Sequence, residues 1–287
     1  MKEALYYSIT DKQNKIVKCH LCPHGCVVKP GKIGLCRARK NLDGKLYSLT
    51  YGEFSSIHMD PIEKKPLYHF HPGTKILSVG TIGCNFRCSF CQNWEISQSN
   101  YGDIPLQRLS KEDALVLAKE NGSIGIAYTY NEPLINYEWV YETSKYFREN
   151  DMKNVLVSNG YVMKEPLVEL AKYLDAANID IKAFNNDFYK DVCAGKLDIV
   201  LENVRILVER KVHVELTNLI IPGQNDSAKE ISALVYWVES LSPDIPLHFS
   251  RYFPQYMMET PMTPMDTIEE AYNIAKKKLK YVHMGNV

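Results

Sequence analysis

The 287-residue chain has no apolar run approaching the roughly 20 residues a membrane span needs. Its opening, MKEALYYSITDKQNK, lacks the apolar stretch of a secretory leader. Charge of neither sign is in excess: 34 basic and 34 acidic residues cancel, which argues against a nucleic-acid binder driven by bulk electrostatics. Low-complexity segments are absent, and so is any repeat beyond an alternation of short apolar runs with amphipathic stretches. Together these absences lead to the expectation of a cytoplasmic protein with no membrane partner. Thiols stay reduced in that compartment, so the eight cysteines point to metal or catalysis rather than disulfides.

What is present divides the chain in two. Residues 1–55 carry Cys19, Cys22, Cys26 and Cys36 among Gly, Pro and basic residues, with little helical patterning, and are expected to form a small cysteine-rich module. Residues 56–287 alternate strand and helix signals. Strands are expected at 76–80, 124–130, 155–159, 176–182, 212–221 and 246–252, and helices near 111–121, 137–149, 165–174, 198–210, 227–240 and 267–279. Ser110 three residues before Asp113 resembles a capping box, and Pro166 suits a first helical turn. Six such βα units predict an α/β fold, a partial (β/α)6 TIM-like barrel, with a doubly wound open sheet as the alternative.

Ligands of parallel α/β folds sit at the carboxyl ends of the strands. Those ends carry Thr129, Asn131 and Glu132, then Ser158 and Asn159, then Asp180 and Lys182. The later strands add Thr217, Asn218, His248, Ser250 and Arg251, and all are expected on one rim. Asp180 and Lys182 stand out because they interrupt an apolar run, where unpaired buried charge is costly.

After the first barrel strand comes GCNFRCSFCQNW, in which Cys84, Cys88 and Cys91 have the spacing C-x3-C-x2-C without a fourth cysteine nearby. A structural zinc or a closed iron–sulfur cluster needs four protein ligands. Three thiolates can hold three irons of a 4Fe–4S cube and leave the fourth open, as a catalytic metal site requires. With these residues the chain resembles the radical S-adenosylmethionine superfamily. Its GCNFRCSFCQN and Asp180-Ile181-Lys182 are similar to those of pyruvate formate-lyase activating enzymes. CHLCPHGC (19–26), DPIEKKPLYHFHPG (60–73), AYTYNEP (127–133), SNGY (158–161), NLIIPGQND (218–226) and PLHFSRYFP (246–254) resemble the AmmeMemoRadiSam-system branch more closely.

That resemblance implies S-adenosylmethionine on the open iron and one-electron cleavage to methionine and a 5′-deoxyadenosyl radical. It also implies a flavodoxin- or ferredoxin-type reductant. Phe90 would lie near the adenine, Ser158 and Asn159 near the ribose or methionyl group, and Lys182 near the carboxylate. Where the family has a Gly-Gly-Glu strand end this chain has Tyr128-Thr129-Tyr130-Asn131-Glu132, which leaves a contact of Glu132 with the methionyl amino group open. The branch commonly continues into a tail with a C-x-x-C knuckle, so a short or trimmed chain is expected here.

Cys19-x2-Cys22-x3-Cys26-x9-Cys36 offers four thiolates, a full set for a zinc ion or an auxiliary iron–sulfur cluster, and is expected to be structural. His20 and His24 are reserve ligands. His58, His69 and His71 flank the cluster loop, Cys193 reads as a buried small residue, and Tyr128, Tyr130 and Tyr161 fall near the rim. Two functional classes follow: a radical enzyme whose substrate is a metabolite or a glycyl-radical partner protein, or a non-catalytic iron–sulfur carrier or scaffold. A carrier needs every iron capped by protein and has no use for the polar rim, which favours the enzyme.

Overall fold

A computed structural model describes all 287 residues. Its centre is an eight-stranded sheet: β1 (Ser56–Pro61), β2 (Lys75–Gly80), β3 (Gly125–Tyr128), β4 (Lys153–Ser158), β5 (Ala176–Asp180), β6 (His213–Ile220), β7 (Leu247–Arg251) and β8 (Val282–Gly285). Between β2 and β8 each strand pairs in parallel with the next, and a helix fills each gap: α1 (Lys111–Glu120), α2 (Tyr137–Glu149), α3 (Lys164–Ala171), α4 (Leu197–Glu209), α5 (Ala228–Leu241) and α6 (Met265–Lys276). Strand order never reverses, so the doubly wound alternative is excluded and the sheet curls into a partial barrel. The six expected βα units are all present.

Two edge strands were not expected. β1 runs antiparallel to β2; in its sequence SIHMDP only Ile57 and Met59 alternate with polar residues, half-buried against the core, a pattern too short to stand out at a sheet edge. β8 is only four residues long. Ser110 caps α1 by accepting the Asp113 N–H at 3.0 Å, and Ser227 caps α5 through Glu230 in the same way. No helix is long and apolar enough to cross a membrane.

Residues 62–74 join β1 to β2 at the amino ends of the parallel strands. Buried Glu215 of β6 fixes this loop by accepting the N–H groups of Tyr68 (3.0 Å) and His69 (2.8 Å). The same carboxylate takes hydrogen bonds from His213 and His248, and His69 pairs with His283 at 2.8 Å.

The N-terminal residues form two small antiparallel sheets, one of Lys2–Glu3, Arg39–Leu42 and Lys45–Ser48, the other of Tyr7–Asp11, Ile16–Cys19 and Val27–Val28. Val17, Leu21, Val28 and Leu46 are buried in the same apolar cluster as the barrel core. These residues therefore do bury a core, by sharing the barrel's. Arg39 and Glu138 of α2 lock the two parts together: Nη2 donates to both carboxylate oxygens at 2.8 and 2.7 Å, and both side chains are buried.

Candidate active site

A cleft of about 740 Å³ opens at the carboxyl ends of the strands and runs into the barrel. Cys84, Cys88 and Cys91 all line it, on the loop that follows β2. Asn131 clasps the start of that loop, accepting the Thr81 N–H at 3.0 Å and donating to Gly83 O at 2.8 Å. The Phe86 N–H and the Asn159 amide approach Cys84 Sγ at 3.3 and 3.7 Å, donors that suit a thiolate. Cys193 is fully buried beside Cys88 and its carbonyl accepts the Arg87 N–H at 2.9 Å, but it does not line the cleft. Burial pushes the Cys84 and Cys91 thiols up, and hydrogen bonding to Cys193 together with burial does the same to Cys88. Thiolates at these positions therefore call for a cation.

The cleft also gathers Phe90, Asn131, Glu132, Ser158, Asn159, Asp180 and Lys182. Glu132 is buried and largely occupied: it accepts Leu134 N–H (3.0 Å), Asn159 N–H (2.8 Å) and a forked bond from Ser158 Oγ (2.9 and 3.0 Å). Burial raises its pKa to about 7 despite those donors. The carboxylate braces the ends of β3 and β4. Lys182, which the resemblance puts near the methionyl carboxylate, is not a free ammonium, because Nζ pairs with Asp180 Oδ2 at 2.8 Å. Burial opposes its charge, but the Asp180 carboxylate prevails and holds the ammonium above its ordinary pKa.

The other strand ends do not all converge. Thr217 and Ser250 line the cleft, whereas Asn218 donates to Ile181 O, His248 serves Glu215 and Arg251 turns away to Thr263 O. These side chains fall on the opposite pleat or too deep along the strand. Among the histidines, His58 lines the cleft and His69 does not.

Sequence reasoning missed a polar wall on the β1 side. Tyr130 has φ +71°, a strained conformation for a bulky residue. Its hydroxyl bonds Asp60 at 2.5 Å, its carbonyl accepts Asn93 Nδ2 at 2.7 Å, and Lys65 Nζ sits 4.5 Å from its ring centroid while pairing with Asp60 at 2.7 Å. The sequence hinted at it only through Tyr130 near the rim and the block around residues 60–73, similar to the branch pattern; Asp60 and Lys65 were not singled out.

Cys19, Cys22, Cys26 and Cys36 line one enclosed cavity of about 20 Å³, with Arg39 and His24. Arg39 Nη1 is buried there without a hydrogen-bond partner. Burial pushes Cys22 up to about 12 and Cys36 to about 11. Neither cysteine set is drawn into metal-ligand geometry. Each is gathered around one space. The donors at Cys84 to Cys91 fit a cluster with one open corner, since three thiols face a roomy polar cleft and N–H groups point at sulfur.

Comparison with known proteins agrees with this geometry. The radical SAM superfamily model matches residues 78–235. The uncharacterized protein MJ0808 of Methanocaldococcus jannaschii is 46% identical, over 100% of this chain and 86% of its own length. The 4-hydroxyphenylacetate decarboxylase activating enzyme of Clostridium scatologenes is 26% identical over 41% of this chain and 38% of its own. A radical SAM methyltransferase structure from Sphaerobacter thermophilus superposes with a TM-score of 0.59 at 16% identity, covering 75% of this chain and 67% of that one, a likeness of fold. With the family match spanning the very strands and loops that carry Cys84, Glu132, Ser158 and Asp180, and with a relative 46% identical over the whole of this chain, the chain belongs to the radical SAM superfamily.

Proposed function

We propose that this chain cleaves S-adenosylmethionine reductively and uses the 5′-deoxyadenosyl radical to abstract hydrogen from a substrate held in the same cleft. The carrying observation is that three thiols, and no fourth, face a cleft rich in fixed polar groups. A 4Fe–4S cluster bound there supplies the electron and an open iron for the methionyl group. The protein's own part is placement. Phe90, buried against Phe188 with ring centroids 5.8 Å apart, offers an apolar wall for the adenine. Asp180 and Lys182 present a paired charge to the methionyl end, and Ser158 and Asn159 are held by Glu132.

Anaerobic reconstitution with iron and sulfide, then dithionite and S-adenosylmethionine, should yield 5′-deoxyadenosine and methionine in equal amounts. A fully loaded cluster that produces neither sinks the reading. Within it we favour a protein substrate that receives a glycyl radical, with a flavodoxin or ferredoxin as electron donor. The relative named as an activating enzyme and the width of the cleft support this. A glycyl-radical doublet on a partner protein would be the signature.

Cys19, Cys22, Cys26 and Cys36 we read as a second, closed metal centre, and the cavity favours zinc over a cluster. The four cysteines converge on one confined, mostly apolar space that Arg39 also lines, a complete tetrahedral donor set for a single ion. Four thiolates around one zinc leave net negative charge, and the orphaned Arg39 Nη1 would satisfy it.

A further inference from the structure

The two cysteine sets are one residue layer apart. Gly83, with φ +84°, lies so close to Cys36 that a Cβ there would stand 2.3 Å from the Cys36 carbonyl oxygen. Two residues on, Asn85 is buried, and its atoms face both sides. Its carbonyl accepts a hydrogen bond from His24 Nε2 at 2.8 Å, which requires the ring tautomer protonated at that nitrogen. Its side-chain amide donates to Tyr161 O at 2.7 Å and accepts from Asn159 Nδ2 at 2.9 Å, and the same Asn159 nitrogen reaches Cys84 Sγ.

His24 occupies the middle of the turn Cys22-Pro23-His24-Gly25-Cys26, which is closed by Gly25 N–H to Cys22 O at 3.1 Å. The shape of that turn, set by two of the four cage cysteines, therefore decides where the imidazole points. Its edge also rests on the Tyr161 ring at 5.3 Å between centroids. A continuous path of packed, hydrogen-bonded groups runs from the cage to Cys84, joined by Asn85, which the sequence did not single out.

We propose that Asn85 is a positioning residue through which the N-terminal cysteine cage sets the shape of the loop carrying Cys84. The cage is then more than a staple for residues 1–55: its metal state is felt at the S-adenosylmethionine site. This rests on reading the cage as a metal centre, and the test separates the two ideas.

The test uses anaerobically reconstituted full-length chain and three readouts: metal content, the S-adenosylmethionine dissociation constant, and the change S-adenosylmethionine causes in the EPR spectrum of the reduced cluster. His24→Ala should keep both metals, weaken S-adenosylmethionine binding about 5- to 10-fold, the size of one net hydrogen bond, and broaden the EPR signal. His24→Gln, whose amide N–H reaches the same carbonyl, should recover most of both. Cys22→Ser should lose zinc, keep iron, and show the same EPR broadening. Wild-type affinity and spectrum in His24→Ala and in zinc-free Cys22→Ser would overturn the coupling while leaving the cage intact. A wild-type chain with iron for a single cluster and no zinc would overturn the cage, and His24→Ala with His24→Gln would then decide the role of Asn85 alone.

Discussion

Cys19, Cys22, Cys26 and Cys36 surround a cavity of about 20 Å³, whereas Cys84, Cys88 and Cys91 face a cleft of about 740 Å³. Both sets are local in sequence, spanning 19–36 and 84–91, and burial raises thiol pKa values in both. What separates them is the number of thiols and what else lines the space. The first has four, an arginine and mostly apolar walls; the second has three and a ring of fixed polar side chains. A closed donor set stabilises structure, and an incomplete one leaves room for chemistry.

Removing one cysteine from each set should break them in opposite ways. Cys88→Ala leaves two thiols at the cleft, too few to retain a cluster that already lacks a fourth protein ligand. Iron after reconstitution should fall to background and deoxyadenosine formation should vanish, with the circular dichroism of the barrel unchanged. Cys22→Ala should instead lose zinc, keep the cluster's absorbance, and make residues 1–55 more sensitive to protease while S-adenosylmethionine cleavage continues at a reduced rate. Equal loss of iron in both variants would mean that the two sets hold one centre.

A subtler distinction lies within the cleft. Lys182 is paired with Asp180, so its ammonium is shared rather than free. A charge-assisted hydrogen bond contributes about 1.5–3 kcal/mol, and sharing brings the expected effect to the low end. Lys182→Ala should weaken S-adenosylmethionine binding about 10-fold, measured by titration, without altering the cluster spectrum.

The smallest effect lies away from both sets, at the amino ends of the strands. Burial, with His248 and His69 nearby, pushes His283 from 6.5 down to about 4. The unfolded chain therefore takes up this proton first on acidification. The stability linked to neutral His283 is present above pH 6.5 and is lost as pH falls toward 4. Burial alone would raise Glu215, but hydrogen bonds from His213 and His248 hold it down at about 2, so its contribution persists until lower pH. Allowing for the partial exposure of His283, the step should be about 1 kcal/mol. Between pH 6.5 and 4 the urea midpoint of wild type should fall relative to that of His283→Phe, and a pH-independent difference would remove His283 from the account.

The βα order was legible because parallel strands buried on both faces read as apolar runs and the helices carry clear amphipathic stripes. Cys84, Cys88 and Cys91 were legible because their spacing is local. What stayed hidden depends on long-range contacts. β1 offers only Ile57 and Met59 as an apolar signature, and the pairing of Asp60 with Tyr130 joins residues 70 apart. His24 looked like a reserve ligand, yet it bonds Asn85 across 61 residues. Asp180 and Lys182 were found from their cost inside an apolar run, but that cost is met by their pairing with each other, which spacing alone did not reveal.

The Arg39–Glu138 pair also fixes an order of assembly. Ninety-nine residues separate the partners, and a guanidinium is not buried beside apolar groups before its carboxylate arrives. On the ribosome the four N-terminal cysteines emerge long before α2 exists to receive Arg39. During that interval they are exposed thiols on an undocked segment, open to metal or oxidant. Contacts this distant in sequence form late, so docking of the N-terminal sheets should be among the last events in folding.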